Sequence, residues 1–228
     1  GGGRMSTRAY DLVMFDLDGT LVETGPEIAD ATNDTLSHFG WATVTQEQVN
    51  AWIGHGTREL LLQAMAFVLQ TPAEDLRHSD RFAQAEAVFI GHYQSRCGTR
   101  SHLYPQVLET LSALRQQGVF TAVITNKERR YTQTVLDAHG LMPLLDRVIS
   151  GDTLPKKKPN PAGIEFCLAH FGVDASRALF VGDSSIDVQT ARNAGVEVWA
   201  LPYGYNMGQP IEACQPDRVI PDVSALLA

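Results

Sequence analysis

Two acidic motifs have the residue types and spacing to hold a divalent cation. Asp16 and Asp18 follow an apolar run, and Asp183 and Asp187 follow a second one. Alternate residues of an extended chain point to the same side, so Asp16 and Asp18 are expected to share a crevice. Two such charges are stable together only beside a cation or with one of them protonated. If Mg²⁺ binds Asp16, that carboxylate can attack phosphorus, while Asp18 stays available to protonate the leaving oxygen.

Further polar residues could bind a phosphoryl group beside these acids. Gly19 permits a tight turn that would direct backbone amides, including that of Thr20, at phosphate oxygens. Thr125 and Asn126 follow another apolar run, and Lys158 lies in a lysine and proline segment at 156–161. A hydroxyl and an ammonium beside carboxylates are suited to a divalent cation together with a phosphoryl group.

Each motif also has a purely structural interpretation. The first acids can form an Asx-type turn, Thr125 can be an ordinary β-branched strand residue, and a lysine run is normally a solvated face. Asp183 or Ser184 can be a helix N-cap, with Asp187 as an acid of the first turn. The occurrence of all four motifs after successive apolar runs favours one shared site.

The elements that would position these residues alternate between strand and helix. Apolar or β-rich runs, which predict strands, lie at 10–15, 119–125, 147–150, 178–181 and 196–201. Stretches with helical spacing separate them and end at glycines such as Gly118 and Gly140. This pattern predicts an α/β fold with a Rossmann-like parallel sheet, whose ligand crevice lies beyond the carboxyl ends of the strands.

A helical insert interrupts this fold after the first strand. Residues 24–93 show no strand pattern, and the pairs Thr24 with Glu27 and Thr45 with Gln48 predict capping boxes at helix starts. We assign residues 5–22 and 95–228 to an α/β catalytic core and residues 23–94 to the insert. Residues 1–4 precede Met5 and are interpreted as a cloning remnant.

Substrate selection is assigned to a glycine-flanked break between two helices of the insert. Gly54, His55 and Gly56 form a segment that can swing onto the crevice, and Arg58 at the next helix start could bind a small carboxylate or phosphate. The alternative is a plain interhelical turn with a solvated arginine.

Composition restricts the partners of the chain. The 228 residues are 44% hydrophobic and 19% charged, with a formal charge of −8, which argues against binding to nucleic acid or to anionic membranes. No apolar run approaches the ~20 residues that a membrane-spanning helix needs. The three cysteines, Cys97, Cys167 and Cys214, are far apart and form no metal-binding pair, so we expect reduced thiols and a cytoplasmic location.

Four motifs in this order resemble those of the haloacid dehalogenase-like superfamily. The superfamily's phosphatases carry D-x-D-G-T, a strand-end Ser or Thr, a Lys before Pro, and G-D-x-x-x-D. The matching residues are 16–20, Thr125, Lys158 with Pro159, and 182–187. The insert is similar to the superfamily's helical cap. Asp18 distinguishes the chain from the dehalogenase branch, which lacks this second acid.

The resemblance implies a role for each residue. Asp16 would be the nucleophile that forms an aspartyl-phosphate, and Asp18 would act as general acid and then as base. Mg²⁺ would be held by Asp16, the Asp18 carbonyl and Asp183, with Ser184 and Asp187 supporting them. The residues implied for phosphate binding are Gly19, Thr20, Thr125, Asn126 and Lys158.

Within the superfamily, two segments resemble the phosphoglycolate phosphatase group. They are residues 125–127 and 203–206, and they imply 2-phosphoglycolate as the small phosphorylated metabolite that is hydrolysed. A phosphosugar phosphatase or mutase and a pyrophosphatase share the same motifs. A phospho-accepting receiver domain would use similar residues, but it needs neither a cap nor Asp18.

Overall fold

The computed structural model describes residues 8–228, so the remnant assigned to residues 1–4 lies outside the described residues. Strands and helices alternate along most of the chain, as predicted. The strands are β1 (Leu12–Phe15), β2 (Val22–Glu23), β3 (His102–Leu103), β4 (Phe120–Ile124), β5 (Arg147–Ile149), β6 (Ala178–Gly182), β7 (Glu197–Ala200) and β8 (Arg218–Val219). The helices are α1 (Gly25–His38), α2 (Gln46–Trp52), α3 (Thr57–Leu69), α4 (Ala73–Arg77), α5 (Asp80–Arg96), α6 (Val107–Gln116), α7 (Arg129–Ala138), α8 (Ala162–Phe171) and α9 (Ser185–Ala194).

The large sheet is parallel and has β1 near its centre. Its strand order is β5-β4-β1-β6-β7-β8. Phe15, the last residue of β1, is in register with Val123 of β4 on one side and with Val181 of β6 on the other. The residues that follow these three strands therefore emerge together at one edge of the sheet, which is where a parallel α/β fold binds its ligands.

Both faces of this sheet are buried. Leu12 and Met14 of β1 belong to one apolar cluster, and Val13 and Phe15 belong to the other. Helices α8 and α9 contribute to the first cluster, and α6 and α7 contribute to the second. Such two-sided burial explains why β1 is a continuous apolar run rather than an alternating one.

Helices α1–α5 form the insert, which we call the cap (residues 25–96). The two short strands β2 and β3 pair antiparallel where the chain enters and leaves the cap, with Val22 opposite Leu103. No strand interrupts residues 24–93, as the sequence predicted. The division into domains at residues 23–94 stays a prediction.

The predicted helix start at Thr45 is confirmed. The Gln48 amide donates to Thr45 Oγ1 at 3.1 Å, and the Thr45 amide donates to Gln48 Oε1 at 2.8 Å. These two bonds form the reciprocal capping box at the start of α2.

The capping box predicted at Thr24 is wrong, although α1 does begin there. The Thr24 hydroxyl donates to the carboxylate of Asp18. Glu27 is fully buried and accepts hydrogen bonds from the amides of Gly98 (2.9 Å) and Arg100 (3.0 Å). Contacts outside the helix thus use both side chains that the local pattern assigned to the helix end.

Across residues 8–228, no helix has both the length and the apolar character needed to span a membrane.

Candidate active site

The polar residues predicted at the strand ends meet in one buried cavity. Those that line it from the core are Asp16, Asp18, Thr125, Asn126, Asp183 and Ser184. Asp16 follows β1, Thr125 follows β4 and Asp183 follows β6, so the parallel register of these three strands brings the side chains together. The cap closes the opposite side of the cavity with residues that include Gly54, Gly56 and Thr57.

Three carboxylates form a cluster that fits a hard divalent cation. Asp16, Asp183 and Asp187 are buried, and each offers one oxygen within 4.8 Å of the others. Burial, followed by repulsion from the neighbouring carboxylates, raises the pKa of Asp16 and of Asp183 well above the ordinary range. Oxygen ligands with mutually repelling charges are the donor set that Mg²⁺ or a similar ion stabilises. The Asp18 carboxylate lies outside this cluster, and its predicted metal role concerns its main-chain carbonyl.

Lys158 is the lysine of the 156–158 run that reaches the carboxylates. Its Nζ lies 3.0 Å from Asp16 Oδ1 and 2.8 Å from Asp187 Oδ1, whereas Lys156 and Lys157 are exposed. Burial lowers the pKa of Lys158, but the two carboxylates outweigh this effect and raise it, so Lys158 is a buried cation. It can therefore bind an anionic group beside Asp16.

Asp187 supports this arrangement from the first turn of α9. One of its oxygens contacts Lys158, and the other accepts hydrogen bonds from the Asp183 amide (3.0 Å) and the Ser184 hydroxyl (3.4 Å). Burial opposes ionisation of Asp187, yet the Lys158 ammonium and the hydrogen bonds with Asp16, with Lys158 and with the Asp183 amide lower its pKa. Asp187 is thus an ionised carboxylate that fixes both the lysine and the backbone of Asp183.

Asn126 and Thr125 have different roles after β4. The Asn126 side chain clamps the main chain of Lys158, since its Oδ1 accepts from the Lys158 amide (2.9 Å) and its Nδ2 donates to the Lys158 carbonyl (3.0 Å). Its side-chain amide therefore positions the main chain of Lys158. The Thr125 hydroxyl accepts from the Lys127 amide at 3.1 Å, which leaves the hydroxyl proton available to an acceptor in the cavity.

Gly19 and Thr20 position Asp183 in this structure. Their amides donate within the turn, to Val22 O at 2.9 Å and Leu17 O at 3.1 Å, and so are not available to a phosphate in this conformation. The Thr20 hydroxyl donates to Asp183 Oδ1 at 3.0 Å. Gly19 has a φ of +84°, and a Cβ at this residue would lie 2.0 Å from Asp183 Oδ2. Only glycine combines this backbone angle with so close an approach.

Lys127 is a buried site residue to which sequence reasoning assigned no role. Its Nζ lies 2.7 Å from Asp18 Oδ1 and also donates to the hydroxyl of Tyr93 on cap helix α5. Burial lowers the pKa of Lys127, but the Asp18 carboxylate more than compensates and raises it. The only sequence signal was its place after Thr125 and Asn126, in a segment that resembles phosphoglycolate phosphatases.

The segment 203–206 connects Asp183 to the base of the cap. The Tyr205 amide donates to Asp183 Oδ2 at 2.7 Å, while the Tyr205 hydroxyl accepts from the Gly25 amide at the start of α1 (2.8 Å). A Cβ on Gly204 would lie 2.3 Å from Asp183 Oδ2. The segment is therefore part of the site rather than an ordinary turn.

Of the four cap residues predicted to select the substrate, the structure brings only Gly54 and Gly56 to the cavity. The Arg58 guanidinium instead binds Glu86 on α5 at 2.7 Å and lies over the Phe82 ring. His55 lines a separate groove, which cap residues form together with Lys157 of the core. Arg58 sits at a helix start, as predicted, but its side chain is directed along the cap and not into the crevice.

Comparisons with known proteins agree with this geometry. A sequence profile of the family described as haloacid dehalogenase-like hydrolase matches residues 13–201. A phosphoglycolate phosphatase of Aliivibrio fischeri is 40% identical over 219 residues, which cover 95% of each chain. One of Pseudomonas putida is 42% identical over 221 residues, covering 95% of this chain and 78% of the relative.

A solved structure gives the same result for the fold. It is the crystal structure of a predicted phosphoglycolate phosphatase from Haemophilus somnus, with a TM-score of 0.88 and 34% identity. The match covers 97% of this chain and 98% of the other. The chain therefore belongs to the haloacid dehalogenase-like hydrolase family. Within that family it resembles the phosphoglycolate phosphatases, which are phosphoric monoester hydrolases.

Proposed function

We propose that the chain is a magnesium-dependent phosphatase that hydrolyses 2-phosphoglycolate to glycolate and phosphate. The observation that carries the proposal is the position of Asp16, which directly follows strand β1, belongs to the carboxylate cluster and lies 3.0 Å from Lys158. The names of the relatives at about 40% identity support the choice of substrate. The free thiols Cys97, Cys167 and Cys214 agree with a cytoplasmic location.

The residues divide into those that bind the phosphoryl group and those that would hold the metal. Thr125 can donate its hydroxyl proton to a phosphate oxygen, and Lys158 can neutralise the negative charge beside Asp16. Asp16, Asp183 and the Asp18 carbonyl would hold Mg²⁺. When bound, the ion supplies positive charge that offsets the repulsion between these carboxylates and the substrate.

The reaction proceeds in two displacements at phosphorus. In the first, a carboxylate oxygen of Asp16 forms a bond to phosphorus, the bond from phosphorus to the glycolate oxygen breaks, and Asp18 donates a proton to that oxygen. In the second, water attacks the phosphorus of the aspartyl-phosphate while Asp18 accepts its proton. The bond to Asp16 then breaks, which releases phosphate and restores the carboxylate. Thr24 and Lys127 orient Asp18 for both proton transfers through their contacts with its carboxylate.

A phosphate-release assay with Mg²⁺ tests this function. We expect Asp16→Asn to abolish turnover of 2-phosphoglycolate while circular dichroism shows an intact fold, because an amide is too weak a nucleophile to attack phosphorus. Release by the purified variant at a rate close to that of the original protein would disprove the role of Asp16.

A substrate panel separates the proposed activity from its alternatives. It compares 2-phosphoglycolate with pyrophosphate and hexose phosphates at matched concentrations. The highest kcat/KM is expected for 2-phosphoglycolate. A preference for pyrophosphate or a hexose phosphate would replace the proposed substrate, and a stable phosphoprotein without release would indicate a receiver-like domain.

A further inference from the structure

A carboxylate of the core binds the amino end of cap helix α3. Glu128, which precedes α7, accepts hydrogen bonds from the Thr57 amide (2.9 Å), the Thr57 hydroxyl (2.8 Å) and the Arg58 amide (3.1 Å). Thr57 is only 4% exposed. Glu128 therefore does for α3, from the other side of the crevice, what an N-cap residue does for its own helix. Its negative charge also lies at the positive end of the helix dipole.

The loop that precedes α3 is held by the core at two further points. Asn126 Nδ2 donates to the Gly54 carbonyl at 3.0 Å, and the Lys157 ammonium donates to the carbonyl of His55. A Cβ on Gly56 would lie 2.9 Å from the Asn126 carbonyl, so the loop lies directly against the core. This loop carries Gly54 and Gly56, which close the catalytic cavity.

The cavity beneath the cap is small compared with a phosphate ester. Its volume is about 20 Å³, which is room for about one water molecule. The loop of residues 54–57 forms the cap side of this cavity. Movement of the loop away from the core would break the contacts of Glu128 with Thr57 and Arg58, and closure would form them again.

We propose that Glu128 is a positioning residue that holds the cap closed over the catalytic cavity. It acts through Thr57 and Arg58 and touches no reacting atom. The proposal rests on the phosphatase function proposed above, since closure brings Gly54 and Gly56 over the group attached to phosphorus. Glu128 stabilises the closed form of the free protein and of the substrate complex alike. Its loss therefore lowers the closed fraction of both species, which changes kcat more than KM.

The test combines hydrogen exchange with steady-state kinetics on Glu128→Ala, Glu128→Gln and the full-length original protein. In Glu128→Ala, we expect the amides of Thr57 and Arg58 to exchange about tenfold faster and kcat for 2-phosphoglycolate to fall several-fold. KM is expected to stay within about twofold. Glu128→Gln keeps one acceptor oxygen, so its exchange rates and its kcat are expected to lie between those of Glu128→Ala and those of the original protein. The matched control is Glu165→Ala, at an exposed glutamate of core helix α8.

A double-mutant cycle keeps the test independent of folding defects. Thr57→Val removes the hydroxyl that donates to Glu128 but retains the backbone amide. Its effect on kcat is expected to vanish when residue 128 is already alanine, because the two side chains act through one contact. Additive effects of the two changes would overturn the proposal.

The outcomes also distinguish this proposal from the proposed function. Unchanged exchange at Thr57 and Arg58 in Glu128→Ala would overturn the closing role, whatever the activity. Faster exchange with unchanged kcat would overturn the role in the reaction. If the original protein releases no phosphate from 2-phosphoglycolate, the proposed substrate fails, while the exchange rates still decide whether Glu128 holds the cap.

Discussion

Replacing Lys158 by methionine tests the charge balance of the carboxylate cluster. The Lys158 side chain is 3% exposed, and its ammonium contacts Asp16 at 3.0 Å and Asp187 at 2.8 Å. Methionine keeps an unbranched side chain of similar size but removes the positive charge. The change therefore leaves two buried carboxylates without the cation that both of them contact.

The size of the effect follows from the burial of the pair. Removing one partner of a buried ion pair costs about 3–5 kcal/mol of unfolding free energy. This cost has an upper limit, because an unpaired carboxylate can take up a proton instead of staying charged. Protonating a carboxyl of ordinary pKa 3.8 at a pH of about 7.5 requires about 5 kcal/mol. We expect Lys158→Met to lower the unfolding free energy by about 3–5 kcal/mol without metal at that pH.

The loss of stability must depend on pH in a defined direction. In the original protein, the pKa of Asp187 is lowered below 3.8, so its contribution to stability is present above pH 3.8 and is lost as the pH falls through the lowered value. In Lys158→Met, burial raises the pKa of the unpaired carboxyl instead. The variant is then stabilised by proton uptake as the pH falls, and its deficit shrinks by up to about 1.4 kcal/mol per pH unit.

Urea unfolding followed by circular dichroism measures both quantities in buffer that contains EDTA. Lys156→Met, at an exposed residue of the same segment, is the control and should change stability by less than about 0.5 kcal/mol. A deficit below about 1 kcal/mol in Lys158→Met would refute the charge-balance argument. The argument would also be refuted if Lys158→Met lost the same unfolding free energy at a pH of about 5.5 as at a pH of about 7.5.

Two further substitutions test how individual residues are placed. Arg58→Ala should leave KM for 2-phosphoglycolate within about twofold, because Arg58 binds the partly exposed Glu86 and not the cavity, and such surface ion pairs are weak. A large rise in KM in the phosphate-release assay would show that Arg58 does bind the substrate. Gly204→Ala should raise the Mg²⁺ concentration for half-maximal activity about tenfold or more, because the added Cβ would lie 2.3 Å from Asp183 Oδ2 and displace that carboxylate. An unchanged magnesium titration would contradict the proposed role of Gly204 in positioning Asp183.

The grouping of the candidate site residues at one edge of the sheet was predictable because parallel strands impose a simple rule. Once the apolar runs were assigned to strands of one sheet, Asp16, Thr125 and Asp183 had to emerge at the same edge. The helices of the core could also be located from their glycine stops and apolar spacing. The short strands β2, β3 and β8 were missed because two residues carry too little periodicity to predict a strand.

Contacts between distant segments could not be predicted in the same way. The spacing of Thr24 and Glu27 fits a capping box, but Asp18 and the amides of residues 98 and 100 compete for both side chains. Arg58 has the charge to bind a carboxylate, yet its direction is decided by Glu86 on a neighbouring helix. Sequence spacing can predict where a helix begins or ends. The hydrogen-bond and ion-pair partners of Thr24, Glu27 and Arg58 depend instead on how the helices and strands pack together.

The paired strands β2 and β3 have a consequence for how this architecture diversifies. Because Val22 lies opposite Leu103 and Glu23 opposite His102, the two ends of the cap meet side by side. The whole helical segment is therefore an insertion whose two ends are held together. Lengthening such an insertion adds little to the entropic cost of bringing its ends together. Evolution could therefore replace the helices of the cap as one unit and acquire a new specificity while the carboxylate cluster at the strand ends stayed unchanged.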